Sequence, residues 1–105
     1  MSLDFVDNCL AIVITTESNY TNARLLASYI LEMKLSKCVS FCKIDSIYFW
    51  EGTLQESQEV QLTIKTIPEL LDQLIIAIKN KHTYELPQII SLGASSSKEY
   101  NEWLR

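Results

Sequence analysis

The side chains best suited to chemistry crowd into one short segment. His82, the only histidine of the 105 residues, is followed directly by Thr83, Tyr84 and Glu85. A lone imidazole can ligate a metal or respond to protons near neutrality, or it can close a helix by bonding a carbonyl. A site needing two imidazoles cannot arise within one copy of the chain, so a metal centre here would borrow groups from a neighbouring copy. Tyr84 and Glu85 offer oxygen ligands or a partner that fixes the tautomer of His82; equally, they could orient the turn leading into Pro87. Lys65 falls on the polar side of an alternating run that starts near Glu59. There it could pair with a carboxylate, attract an anion, or remain an ordinary exposed charge. Cys38 and Cys42 are four positions apart, roughly 13 Å on an extended strand. That is too far for one metal ion or a disulfide, so buried reduced thiols are expected. Trp50 and Trp103 could stack a ligand, although aromatic side chains more often anchor interfaces.

Composition narrows the classes that could use these groups. Hydrophobic residues make up 48% and charged residues 21% of the chain. That supports one packed core and argues against extended disorder. Nine basic residues against thirteen acidic ones give a net charge of -4. Polyanion-binding surfaces carry a basic excess, so nucleic acid is not an expected partner. The longest apolar run, Cys9 to Ile14, is far shorter than the ~20 residues that cross a bilayer, and no membrane partner is expected. The N-terminus carries two acids and no basic flank, so it does not read as a secretory signal. Three cysteines without a CxxC fit a cytoplasmic protein with reduced thiols.

The elements that would position these groups follow from apolar spacing. Cys9 to Ile14 is short, continuous and β-branched, the pattern of a buried strand. Thr15 to Asn19 supplies helix-capping side chains, and Ala23, Leu26, Ala27, Ile30 and Leu31 then make one helical stripe that ends near Lys34. Cys38 to Trp50 is β-branched and aromatic; after Gly52, the alternation of Val60, Leu62 and Ile64 with polar residues predicts an antiparallel strand. A long hairpin joins the two, with a polar tip around Glu51 to Ser57. Thr66-Ile-Pro-Glu69 has capping-box order and opens a helix through Ile67, Leu70, Leu71, Leu74, Ile75 and Ile78 to Lys81. Leu86 to Leu92 reads as a last strand ended by Gly93, and Ser96-Ser-Lys-Glu99 as a cap introducing a short terminal helix.

The resulting order, strand-helix-strand-strand-helix-strand plus a terminal helix, is that of a ferredoxin-like α+β sandwich. A single domain over residues 1–105 is expected, with 1–7 as a loosely ordered extension. Two helices cover only one side of such a sheet. The hairpin carries Phe41, Ile44, Ile47, Tyr48, Phe49 and Trp50, more apolar surface than those helices can receive. Left exposed together, such residues form an interaction patch, and the hairpin edges invite strand pairing. Self-association resolves both problems.

Several separated segments together resemble the CutA divalent-cation tolerance family. They are Ile47-Tyr-Phe-Trp-Glu-Gly52, Glu59-Val60 leading into Ile64-Lys-Thr66, His82-Thr-Tyr-Glu-Leu-Pro87, Tyr100-Asn-Glu-Trp-Leu104, and Cys38-Val39 after the first helix. The match runs from Leu10 to Leu104. The resemblance implies a homotrimer built by strand pairing between subunits, similar in architecture to PII signalling proteins and with clefts between subunits. It makes Glu59, Lys65 and Tyr84 cleft candidates, His82 and Glu85 candidate ligands for copper or zinc, and Tyr48, Trp50 and Trp103 interface residues. No cofactor is required; a divalent ion or small anion in the cleft is the implied ligand. Copper-binding members use a cysteine at the end of the first strand, where this chain has Thr16, and a histidine or histidine pair before the tyrosine, where it has Lys81-His82.

Enzymatic readings fare worse. An acylphosphatase of this strand order needs a phosphate-cradling loop, and Thr15 to Tyr20 contains no glycine that would let amides converge. No GxSxG or P-loop occurs. An RNA-recognition domain would show a basic-Gly-aromatic signature in place of Lys65-Thr-Ile67, and a metal chaperone of this topology would show CxxC at the first helix. A non-enzymatic binding or regulatory protein is the expectation.

Overall fold

The computed structural model describes residues 4–105. Strand β1 (Phe5–Glu17) is followed by helix α1 (Tyr20–Glu32), strands β2 (Cys38–Trp50) and β3 (Thr53–Thr66), helix α2 (Leu71–Lys81), strand β4 (Ile90–Ser97) and helix α3 (Lys98–Leu104). One antiparallel sheet has the order β2-β3-β1-β4. This is the ferredoxin-like arrangement expected from the element order.

The core sits where the alternation places it. Val13, Val60, Leu62 and Ile64 point to one side of the sheet and meet Ala23, Leu26, Ala27 and Ile30 of α1 and Leu74, Ala77 and Ile78 of α2. Asn19 caps α1 by accepting the Asn22 N–H at 2.8 Å. The helix closes at Glu32, slightly before the expected end, because Lys34 turns left-handed (φ 59) and returns Leu35 to the core.

Other boundaries differ for identifiable reasons. Phe5 and Val6 pair with Ser97 and Ser96, so β1 begins within the segment expected to be loose; residues 1–3 lie outside the described residues. Those same pairings draw β4 along the chain, from the expected Leu86–Leu92 to Ile90–Ser97. Gly93 is inside that strand, opposite Ala11, rather than at its end. Thr66 does not cap α2: its hydroxyl is buried and donates to the Leu35 carbonyl at 2.6 Å, and a 3-10 turn over Pro68–Leu70 intervenes. The cap of α3 is Ser97, one residue later than expected, accepting the Tyr100 N–H. All three cysteines are unpaired, and only Cys9 is buried; Cys38 is half-buried and Cys42 exposed.

The hairpin is longer and tighter than expected. Its register is continuous from Cys38↔Lys65 to Trp50↔Thr53, so the reversal uses two residues, Glu51 (φ 51) and Gly52 (φ 76). Positive φ at both is the pattern of the type I′ turn that suits strand twist. Thirteen residues of β2 extend about 43 Å, whereas thirteen residues of α1 reach only about 20 Å. Among the described residues, no helix therefore covers the far half of the ribbon. A radius of gyration of 15.1 Å and extents of 49 × 31 × 21 Å record that overhang, against about 13 Å for a compact chain of this length.

Gly52→Ala, which forces a side chain into the left-handed region, is expected to lower stability by about 1–2 kcal/mol. Urea denaturation at fixed protein concentration checks this; an unchanged midpoint contradicts the turn assignment.

Candidate functional site

The core face of β1 carries Ala11, Val13, Thr15 and then Glu17, paired across to Thr66, Ile64, Leu62 and Val60 of β3. The two-residue period thus buries a carboxylate at the end of the strand. Glu17 and His82 both have side chains that are essentially inaccessible, at 1% and 0%. Burying a carboxylate is tolerated only with hydrogen-bond donors around it. Glu17 Oε2 accepts the Thr83 N–H at 3.0 Å and Oε1 accepts the Ser18 N–H at 3.2 Å and the Thr83 hydroxyl.

His82 leaves α2 in extended conformation and turns its ring back onto the sheet. Nε2 lies 2.5 Å from the Thr16 carbonyl, and Nδ1 accepts the Tyr84 N–H at 3.0 Å. A carbonyl can only accept, so Nε2 carries the proton and the single lone pair of the neutral ring is already engaged. Glu17 Oε2 stands 3.5 Å from Nδ1. Both nitrogens serve the protein's own backbone. Among the described residues no three of His, Cys, Asp and Glu cluster at metal-binding distances. The surroundings of His82 therefore do not fit the copper or zinc site considered from the sequence.

What this buried knot does is hold the loop after α2 against the sheet. The loop then presents Tyr84, whose hydroxyl donates to Glu59 Oε2 on β3 at 2.7 Å and whose ring lies 4.9 Å from that of His82. Burial and the adjoining Glu59 carboxylate raise the Tyr84 phenol above its ordinary pKa of 10.0. Loop and hairpin together enclose a groove of about 910 Å³, whose walls include Tyr48, Trp50, Glu59, Tyr84, Glu85 and Leu86.

The candidates named from the sequence are thus divided. Glu59, Tyr84 and Glu85 line the groove together with Tyr48 and Trp50, which share the Glu59 face of the ribbon. His82 is beneath it, not in its lining. Lys65 is elsewhere: six positions along β3 from Glu59, about 20 Å away, it approaches Cys38 Sγ at 3.7 Å. Trp103 on α3 packs against Tyr100 and beneath Lys37, also outside the groove lining. Sequence reasoning missed Glu17 and Thr83. The available signal was the alternation of Ala11, Val13 and Thr15, which, continued one step, buries Glu17.

Glu17→Ala removes the acceptor of three part-buried hydrogen bonds and is expected to cost about 1–3 kcal/mol. Removal of the exposed Glu85 side chain should stay within about 0.5 kcal/mol; urea denaturation of both variants checks the contrast. Because folded Tyr84 holds its proton more firmly than the unfolded chain, its contribution is complete below pH 10 and is lost as pH rises through the raised value. Ultraviolet titration should show a late-ionising phenol that disappears in Tyr84→Phe.

Comparison with known proteins places this geometry. Residues 11–105 match the family model described as CutA1 divalent ion tolerance protein. The chain is 38% identical over 96 residues to protein CutA 1, chloroplastic, of Oryza sativa, covering 90% of this chain and 54% of that protein. It therefore spans about half the length of that plant relative. It is 34% identical to the divalent-cation tolerance protein CutA of Thermus thermophilus, over 90% of this chain and 93% of the other. The solved structure of CutA from Synechococcus elongatus superposes with a TM-score of 0.93 at 34% identity, covering 98% of this chain and 94% of that one. The expectation carried by the hairpin and the Tyr84 segment is met: this chain belongs to the CutA divalent-ion tolerance family.

Proposed function

We propose that the chain works without catalysis, as a homotrimeric binding protein in the response to divalent ions, and that its groove is completed by a neighbouring copy. One observation carries the reading: the overhanging hairpin is apolar and uncovered. On the side continuous with the core, Ile47, Phe49 and Leu54 are 66%, 75% and 62% exposed. Phe49 and Leu54 are directly paired across the ribbon. Each such side chain is worth about 1.5–3 kcal/mol when buried. A second copy is the natural cover, because β2 is also an edge strand whose unpaired backbone groups seek a partner. Tyr48 and Trp50, on the opposite side of the ribbon, lie at the boundary between interface and groove.

The metal-free version of this reading is the favoured one. His82 has no lone pair to offer, and Thr16, whose carbonyl it bonds, brings no thiolate. The assembly then resembles a PII-like regulatory trimer, in which a cleft ligand alters what a partner encounters. The divalent-ion response itself rests on the names of the relatives. No helix among the described residues is long and apolar enough to cross a membrane, and three unpaired cysteines suit a reducing compartment such as the cytoplasm.

Sedimentation equilibrium at micromolar concentration should return three protomer masses. The double variant Ile47→Glu, Phe49→Glu should sediment as a single copy. A wild-type chain that is monomeric and stable at that concentration overturns the proposal.

A further inference from the structure

The ring of His82 couples protonation to the position of the loop after α2. Its Nδ1 lone pair accepts the Tyr84 N–H at 3.0 Å, while Nε2–H is committed to the Thr16 carbonyl at 2.5 Å. A proton entering the ring must therefore bind at Nδ1, where it displaces the Tyr84 N–H. Glu17 Oε2 stands 3.5 Å from the same nitrogen and is placed to accept from it. We infer that His82 is a proton-operated latch: the neutral ring holds the Tyr84 backbone, and the protonated ring releases it and pairs with Glu17. The latch is independent of the assembly. Every group in it belongs to one chain, and the His82 and Glu17 side chains, exposed to 0% and 1%, are not available to a neighbouring copy.

Protonation exchanges one bonding pattern for another. An imidazolium has two N–H donors and no lone pair, so the Tyr84 N–H meets another donor. That backbone group must turn away or lose its partner, and an unmade hydrogen bond in a dry site is costly. Glu17 Oε2 keeps the Thr83 N–H at 3.0 Å in both states, because a carboxylate oxygen has room for a second donor. Thr83 therefore stays fixed and the movement starts at Tyr84. From there it reaches the hydroxyl contact with Glu59 on β3 at 2.7 Å, which sets the groove wall. The groups facing the ring are Glu17 from β1 and Tyr84 from the loop, with Glu59 of β3 and Tyr48 of β2 behind Tyr84. Lys81, its neighbour at the end of α2, turns away to lie 4.7 Å from the Tyr29 ring of α1. Glu17 is thus the charge that the imidazolium meets.

Nuclear magnetic resonance on the full chain tests this residue by residue, titrating downwards from pH 8 with a chelator present so that no metal competes for the ring. At the start the ring nitrogens should report the Nε2–H tautomer. As the pH falls, the Tyr84 amide should shift in one step that coincides with titration of the His82 ring. Its protection from hydrogen exchange, taken relative to the Thr83 amide, should drop roughly tenfold in that step. His82→Gln, whose amide group donates and accepts at every pH, should abolish the step. Glu17→Gln keeps the shape but removes the charge that receives Nδ1–H, and should move the step down by about one pH unit. An Nδ1–H tautomer at pH 8, ring titration without a Tyr84 amide response, a step that survives in His82→Gln, or a ring that stays neutral until the chain unfolds overturns the inference. Should His82→Gln fail to fold, the wild-type titration and Glu17→Gln still decide it.

Discussion

A mismatch in length governs this molecule. A β-strand advances more than twice as far per residue as a helix, and here strands and helices have similar residue counts. The helices can therefore cover only the half of the β2–β3 ribbon nearest Cys38 and Lys65. Val39 and Phe41 pack on the core, while Ile47 and Phe49, on the same side of the same strand, meet no helix. Among the described residues, nothing covers that end of the ribbon from above. In the proposed assembly a second copy supplies that cover.

The second organising feature is the buried knot of Glu17, Thr83 and His82. It is a polar network inside a small domain, and its members satisfy one another: a carboxylate with three donors, and an imidazole with a carbonyl on one nitrogen and an N–H on the other. Such networks specify a conformation when complete and are costly when broken. What this one specifies is the path of the loop after α2. The loop carries Tyr84 to Glu59, and so builds one wall of the groove opposite the hairpin. The lone histidine acts through geometry, as a brace for the residue that touches the groove. Its chemistry is spent on the backbone.

Much of this was legible in the residues. The apolar stripes of both long helices, the alternation in β3 and the cap at Asn19 all express local rules, and local rules suffice to order the elements. The groove residues Glu59, Tyr84 and Glu85 were also reachable, through the resemblance. Long-range pairing was not. Thr66 looked like a cap because its neighbours have capping order; only the fold brings the Leu35 carbonyl to its hydroxyl. Gly93 looked like the end of the last strand and Ser96 like a helix cap, yet pairing with β1 carries the strand on to Ser97. His82 could be read either as a ligand or as a helix-terminal residue bonding a carbonyl, because an isolated histidine in sequence gives no sign of which partners will bury it; the fold brings it to the Thr16 carbonyl. Lys65 shared a strand with Glu59, and only the distance along that strand separates their roles.

The groove and the overhang are consequences of one arrangement, since the ribbon that lacks a helix above it is also the wall facing Tyr84. If other copies cover the ribbon, its tip must be protected in solution to the degree of the core. Amide hydrogen exchange across Ile47–Leu54, followed from micromolar to progressively lower protein concentration, measures this directly. The account requires slow, core-like exchange that accelerates on dilution as copies separate. Fast exchange at every concentration, with the core strands still protected, would contradict it.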